Sequence, residues 1–348
     1  MREPLEVARY IFMNEESELR SGWRVLAYFF VFFVSVSLLA GLTKAFSILF
    51  PTFKYLSVEP SESEPLHGPA LISVGITNLR NLVAAVVASA FCARQLERRS
   101  FSSVGFKLHR SWLRDLGLGS LIGAASLTLA VGIAAAAGAM SFDVHTTNVG
   151  FLAHAFAIVA LFFLLSGATE ELVFRGYPFQ ALIHNLGGPV ALAITSVIFG
   201  LAHLLNKDAS GLSTINTMLA GVWLGLAYLM TRSLWLATGL HVSWNFAMVF
   251  IFGLPVSGFP GMDEFAWLRG SAGAPLWVSG GSYGPEGGVA ATAALILSTL
   301  VIWKSGLFAP SEEMVSAIKH GKREPAFVSV VPEDRARPEV QVDPEDQQ

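Results

Sequence analysis

Three short stretches set ionisable or amide side chains in strongly apolar surroundings: Glu170-Glu171-Leu172-Val173-Phe174-Arg175, Phe199-Gly200-Leu201-Ala202-His203 and His241-Val242-Ser243-Trp244-Asn245. On a helix Glu171 and Arg175 stand four apart and can pair along one face, which would orient that carboxylate. Glu170 is then the freer carboxylate and the candidate general base. His241 and Asn245 share the same spacing and one helix face, while His203 falls deep inside an apolar run. Taken singly, each stretch has an ordinary reading: a charge cluster at a membrane boundary, a histidine bonding helix to helix, an Asn–His contact gluing a bundle. Together they supply a base, a partner that positions or protonates, and donors for an oxyanion. Hydrolysis of a peptide bond by activated water needs that inventory. No zinc-protease pattern of the H-E-x-x-H type occurs in the chain.

The elements that must position these residues are membrane helices. Of 348 residues 53% are hydrophobic and only 14% charged, against about a quarter charged in soluble domains. Apolar runs long enough to cross a hydrocarbon core recur near 23–50, 70–92, 116–140, 151–168, 188–205, 212–230, 234–252 and 288–303. The expected fold is an all-α polytopic transmembrane bundle of about eight spans. Arg94, Arg98, Arg99, Lys107, Arg110 and Arg114 crowd the loop after the second run, whereas the loops after the first and third carry only Lys54 and no cation. By the positive-inside rule the crowded loop is cytoplasmic. Arg2, Arg9, Arg20 and Arg24 at the N-terminal end and Lys304, Lys319, Lys322, Arg323, Arg335 and Arg337 at the C-terminal end place both termini on the same side.

The chain then divides into a cytoplasmic segment 1–22, a bundle 23–308 and a cytoplasmic tail 309–348. Within the bundle, 151–252 holds the motifs and 253–287, rich in Gly, Pro, Ser and Trp, reads as an external loop. The tail opens with a short helix near 311–320 and then reads as disordered. The single cysteine, Cys92, is expected as a small buried apolar residue. The small-residue stretch Gly132–Gly138 is expected to let helices approach closely. A net charge of −3 without a basic stripe gives no reason to expect nucleic acid.

Depth creates a difficulty. His203 lies about 15 residues, roughly 22 Å, from the cytoplasmic start of its run, while Glu170 would sit at the cytoplasmic surface if its helix ended at Ala168. The two can meet only if the fourth helix continues past the glutamates toward Ile183, with a kink at Gly176 and Pro178. The expectation is a buried cavity open toward the cytoplasm. Arg80, with Asn78 and Asn81, is a candidate border of that cavity; Lys44 is read as snorkelling, and His154 and His184 as surface residues.

The pattern E-E-x-x-x-R at Glu170–Arg175, F-x-x-x-H at Phe199–His203 and H-x-x-x-N at His241–Asn245, in this order on consecutive membrane helices, resembles the CPBP intramembrane proteases. This is the CAAX protease and bacteriocin-processing (Abi) family, which includes the type II CAAX prenyl endopeptidases. The resemblance implies that Glu170 and His203 activate a water, that His241 and Asn245 support the oxyanion, and that Glu171 and Arg175 orient the site. Glu170, Glu171, His203 and His241 could in principle supply ligands for zinc. Members of the family have been read both as metalloproteases and as metal-independent glutamate proteases, and the sequence leaves both open. The implied substrate is a membrane-associated peptide or protein and the implied location the plasma membrane. The alternatives are a non-enzymatic bacteriocin-immunity or scaffold protein of the same fold and, more remotely, a small-solute transporter.

Overall fold

The computed structural model describes residues 10–14, 18–57, 68–259 and 262–319. Every apolar run of the sequence becomes a helix, and one further short helix follows the first glutamate motif. In chain order these are α1 (Ser21–Leu49), α2 (Gly68–Glu97), α3 (Trp112–Ala136), α4 (Val149–Phe174), α5 (Tyr177–Leu186), α6 (Gly188–Ala202), α7 (Gly211–Thr231), α8 (Leu234–Phe246) and α9 (Val289–Lys304). Among the described residues six stretches are long and apolar enough to cross a membrane, α4 and α5 counting as one; α6 and α9 are apolar but shorter. The fold is an all-α polytopic bundle. Leu26, Phe30, Phe33, Leu38 and Leu42 of α1 are exposed, as a lipid-facing surface requires.

The fourth run behaves as the depth argument demands. α4 runs through both glutamates to Phe174, and the chain breaks at Gly176 before α5 starts with Pro178 in its first turn, where a missing N–H costs nothing. A side chain on Gly176 would collide with the carbonyl of Leu172. The meeting with His203 that this extension was meant to allow is observed: His203, the C-cap residue of α6, lies 4.0 Å from Glu170.

α8 is fixed from behind by α3. Gly119 of α3 and Gly239 of α8 touch backbone to backbone, so that a Cβ on either would strike the other helix, and Gly123 abuts Leu240 and Ser243 in the same way. Small residues do bring helices together here; in the expected stretch Gly132–Gly138 Ala134 is fully buried in the core, while Gly132 and Gly138 themselves have nothing within 4 Å of the position of a Cβ.

Two strands depart from the all-helical expectation. The third run ends at Ala136 rather than near Met140, with Gly138 at φ +71° turning the chain into β1 (Met140–Val144). β1 pairs antiparallel with β2 (Leu268–Ala272) from the segment 253–287, Met140 opposite Ala272. That segment is therefore folded against the bundle. Asn216 Nδ2 of α7 donates to the carbonyls of Glu286 and Gly288 at 2.8 and 2.9 Å.

The opposite end is tied by polar contacts around the arginine-rich loop. Arg24 Nη1 pairs with Glu97 Oε1 at 3.2 Å, Arg99 reaches both Glu97 and Gln180, and Gln180 Nε2 donates to the Val104 carbonyl at 2.7 Å. His184, in the last turn of α5, lies 3.7 Å from Glu18. A short helix, α10 (Glu312–Lys319), follows the bundle. The rest of the tail and residues 1–9, including the expected disorder, lie outside the described residues.

Candidate active site

Four helices converge on the motif residues. Glu170 of α4 turns its carboxylate into a cavity of about 560 Å³, which His203, His241 and Asn245 also line. Its Oε2 lies 4.0 Å from His203 Nε2 and 3.8 Å from His241 Nε2, and has no hydrogen-bond partner. The opposite nitrogen of each ring fixes its tautomer. His203 Nδ1 donates to the Phe199 carbonyl at 2.8 Å, and His241 Nδ1 to Glu171 Oε1 at 2.8 Å. Both histidines therefore aim Nε2 at the same carboxylate oxygen.

Glu171 points the other way. It is fully buried, and its Oε1 accepts from His241 and, at 3.2 Å, from Arg175 Nη1. Arg175, 1% exposed, also donates to the Gly221 carbonyl of α7 at 3.5 Å and lies 4.2 Å from the ring centroid of Phe199. A guanidinium buried this deeply must be paired and bonded on several sides, and here the pairing joins α4 to α6, α7 and α8.

Phe199 explains the first position of its motif. Its ring meets Phe174 and His203 at centroid distances of 5.0 and 4.7 Å and approaches His241 at 6.3 Å. One aromatic side chain is thus the floor on which the cation and both imidazoles rest. Beyond Asn245 the helix opens into a wider π turn over residues 247–251, a feature that re-aims neighbouring side chains.

The structure brings Glu170, His203, His241 and Asn245 to one cavity wall and holds Glu171 and Arg175 behind it. Asn78 lines the same cavity with its Nδ2 buried and unpartnered; Arg80 and Asn81 are not among the lining residues. Arg80 instead donates to Thr77 Oγ1 on its own helix at 2.8 Å. The sequence reading missed Glu286, whose Oε1 accepts from Trp244 Nε1 at 3.1 Å and whose Oε2 accepts from Ser257 N and Oγ. Glu286 clamps the loop onto α8 beside Asn245. It is the one acid between Glu264 and Glu312, in a Gly-rich stretch, and that isolation was the available signal.

Among the described residues no group of three or more His, Cys, Asp or Glu side chains is arranged to hold a metal ion. Of the four residues that could supply zinc ligands, Glu171 has its Oε1 engaged by His241 and Arg175 rather than facing the other three.

Residues 152–247 match the family described as Type II CAAX prenyl endopeptidase Rce1-like, and all three motifs fall inside that stretch. The resemblance carried by the motifs is thereby shown. With six stretches among the described residues long and apolar enough to cross a bilayer, it supports an integral membrane protein with a segment similar to a protease family. No curated protein matches the chain.

Proposed function

We propose that, with its motif segment of an endopeptidase family, the protein hydrolyses a peptide bond of a membrane-associated peptide or protein, using water activated by Glu170 and His203. The observation that carries this is the convergence of Glu170 Oε2 with Nε2 of both His203 and His241, at 4.0 and 3.8 Å, on the wall of a cavity. An oxygen about 2.8 Å from each of two such atoms would hold them at an angle of roughly 85–90°, so a single water fits between them. Glu170 takes a proton from that water, and the hydroxide oxygen bonds to the scissile carbonyl carbon. His203 positions the water through Nε2.

The oxyanion that forms is within the province of His241 and Asn245. A protonated His241 presents an Nε2–H and finds its counter-charge in Glu171, and the Asn245 amide adds a second donor. The proton held by Glu170 then passes to the amide nitrogen, the C–N bond breaks, and carboxylate and amine leave. Phe162, Phe163, Trp223 and Trp244 give the cavity an apolar lining suited to a hydrophobic peptide segment. The protein acts in the plasma membrane on this reading, and the chemistry is the same for a lipidated and an unlipidated substrate.

The test compares membrane-proteome fragments by mass spectrometry from cells making wild type or Glu170→Gln at matched levels. Fragments present only with wild type are expected. Identical fragment sets, with both proteins folded, would move the reading to an immunity or scaffold protein. Cleavage abolished by a chelator and restored by zinc would place a metal in the reaction.

A further inference from the structure

The cavity opens at the end of the bundle opposite to the one expected. Leu205, Lys207 and Phe259 are exposed and belong to its lining. They lie on the turn after α6 and on the loop that joins α8 to α9. Asn206 Nδ2 donates to the Ser257 carbonyl at 3.0 Å, and Gly258 abuts the Lys207 backbone, so these two segments form the rim together. The lining includes no residue of the loops at 98–111 or 231–234 or of the segment 175–188 that holds α5, which make up the other end.

Charge separates the two ends. Arg20, Arg24, Arg94, Arg98, Arg99 and Lys107 gather at the closed end, joined by Arg110, Arg114, Arg232 and Lys304. The rim end carries four cations, Lys44, Lys54, Lys207 and Arg269, among the described residues, and acids occur at both ends. All these loops are short enough for lysine and arginine bias to set orientation. His203, some 15 residues along α6 from the closed end, stands roughly 22 Å from it in a hydrocarbon core of about 30 Å. The reacting groups are therefore nearer the rim face.

We infer that the site is served from the non-cytoplasmic face of the membrane, so that its substrate class is a peptide segment presented at or just inside the outer surface. This rests on the hydrolytic reading of the site, and it separates the protein from the processing of lipidated tails displayed in the cytoplasm. A peptide entering from the rim meets Lys207 and Phe259 first and reaches Glu170 after passing Asn206 and His203.

The single cysteine makes a test simple. Cys92 is fully buried, and Cys92→Ala gives a background into which Leu205→Cys, Asp143→Cys or Leu108→Cys is placed; each site is exposed. A membrane-impermeant maleimide should label Leu205→Cys and Asp143→Cys equally in intact and permeabilised cells, and Leu108→Cys only after permeabilisation. The reverse pattern overturns the inference while leaving the hydrolytic reading intact, because labelling does not depend on cleavage. In the fragment comparison, Glu170-dependent cuts should fall in outer-face segments of the substrates; cuts in cytoplasmic segments overturn it as well. Loss of the hydrolytic reading would show differently, as fragment sets that ignore Glu170→Gln while the labelling pattern holds.

Discussion

Glu170 and Glu171 are neighbours in the chain and occupy opposite halves of one site. The Glu170 side chain is 34% exposed to the cavity and its Oε2 is unpartnered; that of Glu171 is 0% exposed and bound to both His241 and Arg175. Successive residues on a helix point about 100° apart, so at a helix edge one carboxylate can face substrate while the next faces protein. On the proposed hydrolytic reading the wet half reacts and the dry half holds. Substitutions should therefore separate chemistry from stability across a single peptide bond.

The largest effect is expected at Glu170. Glu170→Gln keeps size and polarity, so the melting temperature in detergent should stay near that of wild type while cleavage falls about 10²–10⁴-fold, the usual contribution of a positioned base. A variant that melts early would assign Glu170 to the holding half and erase the contrast.

Next comes Arg175. Arg175→Met leaves Glu171 charged and buried beside only His241, and breaking a buried pair in this way costs about 3–5 kcal/mol. Thermal unfolding should show the loss directly. Glu171→Gln combined with Arg175→Met removes both charges and keeps an acceptor for His241 Nδ1, so the double variant should recover most of the stability. Recovery of full cleavage as well would show that the Glu171 charge has no part in the reaction.

Much of this division was legible in the sequence, for physical reasons that can be named. Apolar runs must be helices in a bilayer because only a helix satisfies its own backbone there. The i,i+4 pair Glu171–Arg175 follows from helix geometry alone, and the need for Glu170 to meet His203 forced α4 past its apolar run. Contacts between helices were not legible. These helices are apolar nearly all round, so no stripe marks which face meets protein and which meets lipid. The seat of His241 on Glu171, the Phe199 floor, the Glu286 clamp and the open end of the cavity all depend on rotation and tilt, which periodicity does not encode. The glycine contact was misplaced by four turns or so for the same reason: Gly119 and Gly132 look alike in sequence, and only the first meets another backbone.

That contact gives the third prediction. Gly239→Leu would wedge α8 off α3, shifting His241 and Asn245 with it, for a destabilisation of about 1–3 kcal/mol typical of overpacking together with reduced cleavage. Gly132→Leu, which has open space, should change neither. Equal effects at the two positions would mean that α3 does not position the site.

The smallest effect is expected at Arg80. An arginine in a membrane helix invites a functional reading because its charge needs a partner or water. Arg80 satisfies one donor on Thr77 of the same helix and is absent from the cavity lining, whereas Asn78, two residues earlier, lines the cavity with a buried, unpartnered Nδ2. Two residues on a helix differ in direction by about 200°, so the two side chains leave opposite faces of α2. Arg80→Ala should leave the fragment set at wild-type level, and Asn78→Ala should lower it, since that amide is free to meet a substrate carbonyl. Loss of cleavage in a well-folded Arg80→Ala would put a cation into the reacting half, and the separation between a wet half that reacts and a dry half that holds would have to be redrawn to include α2.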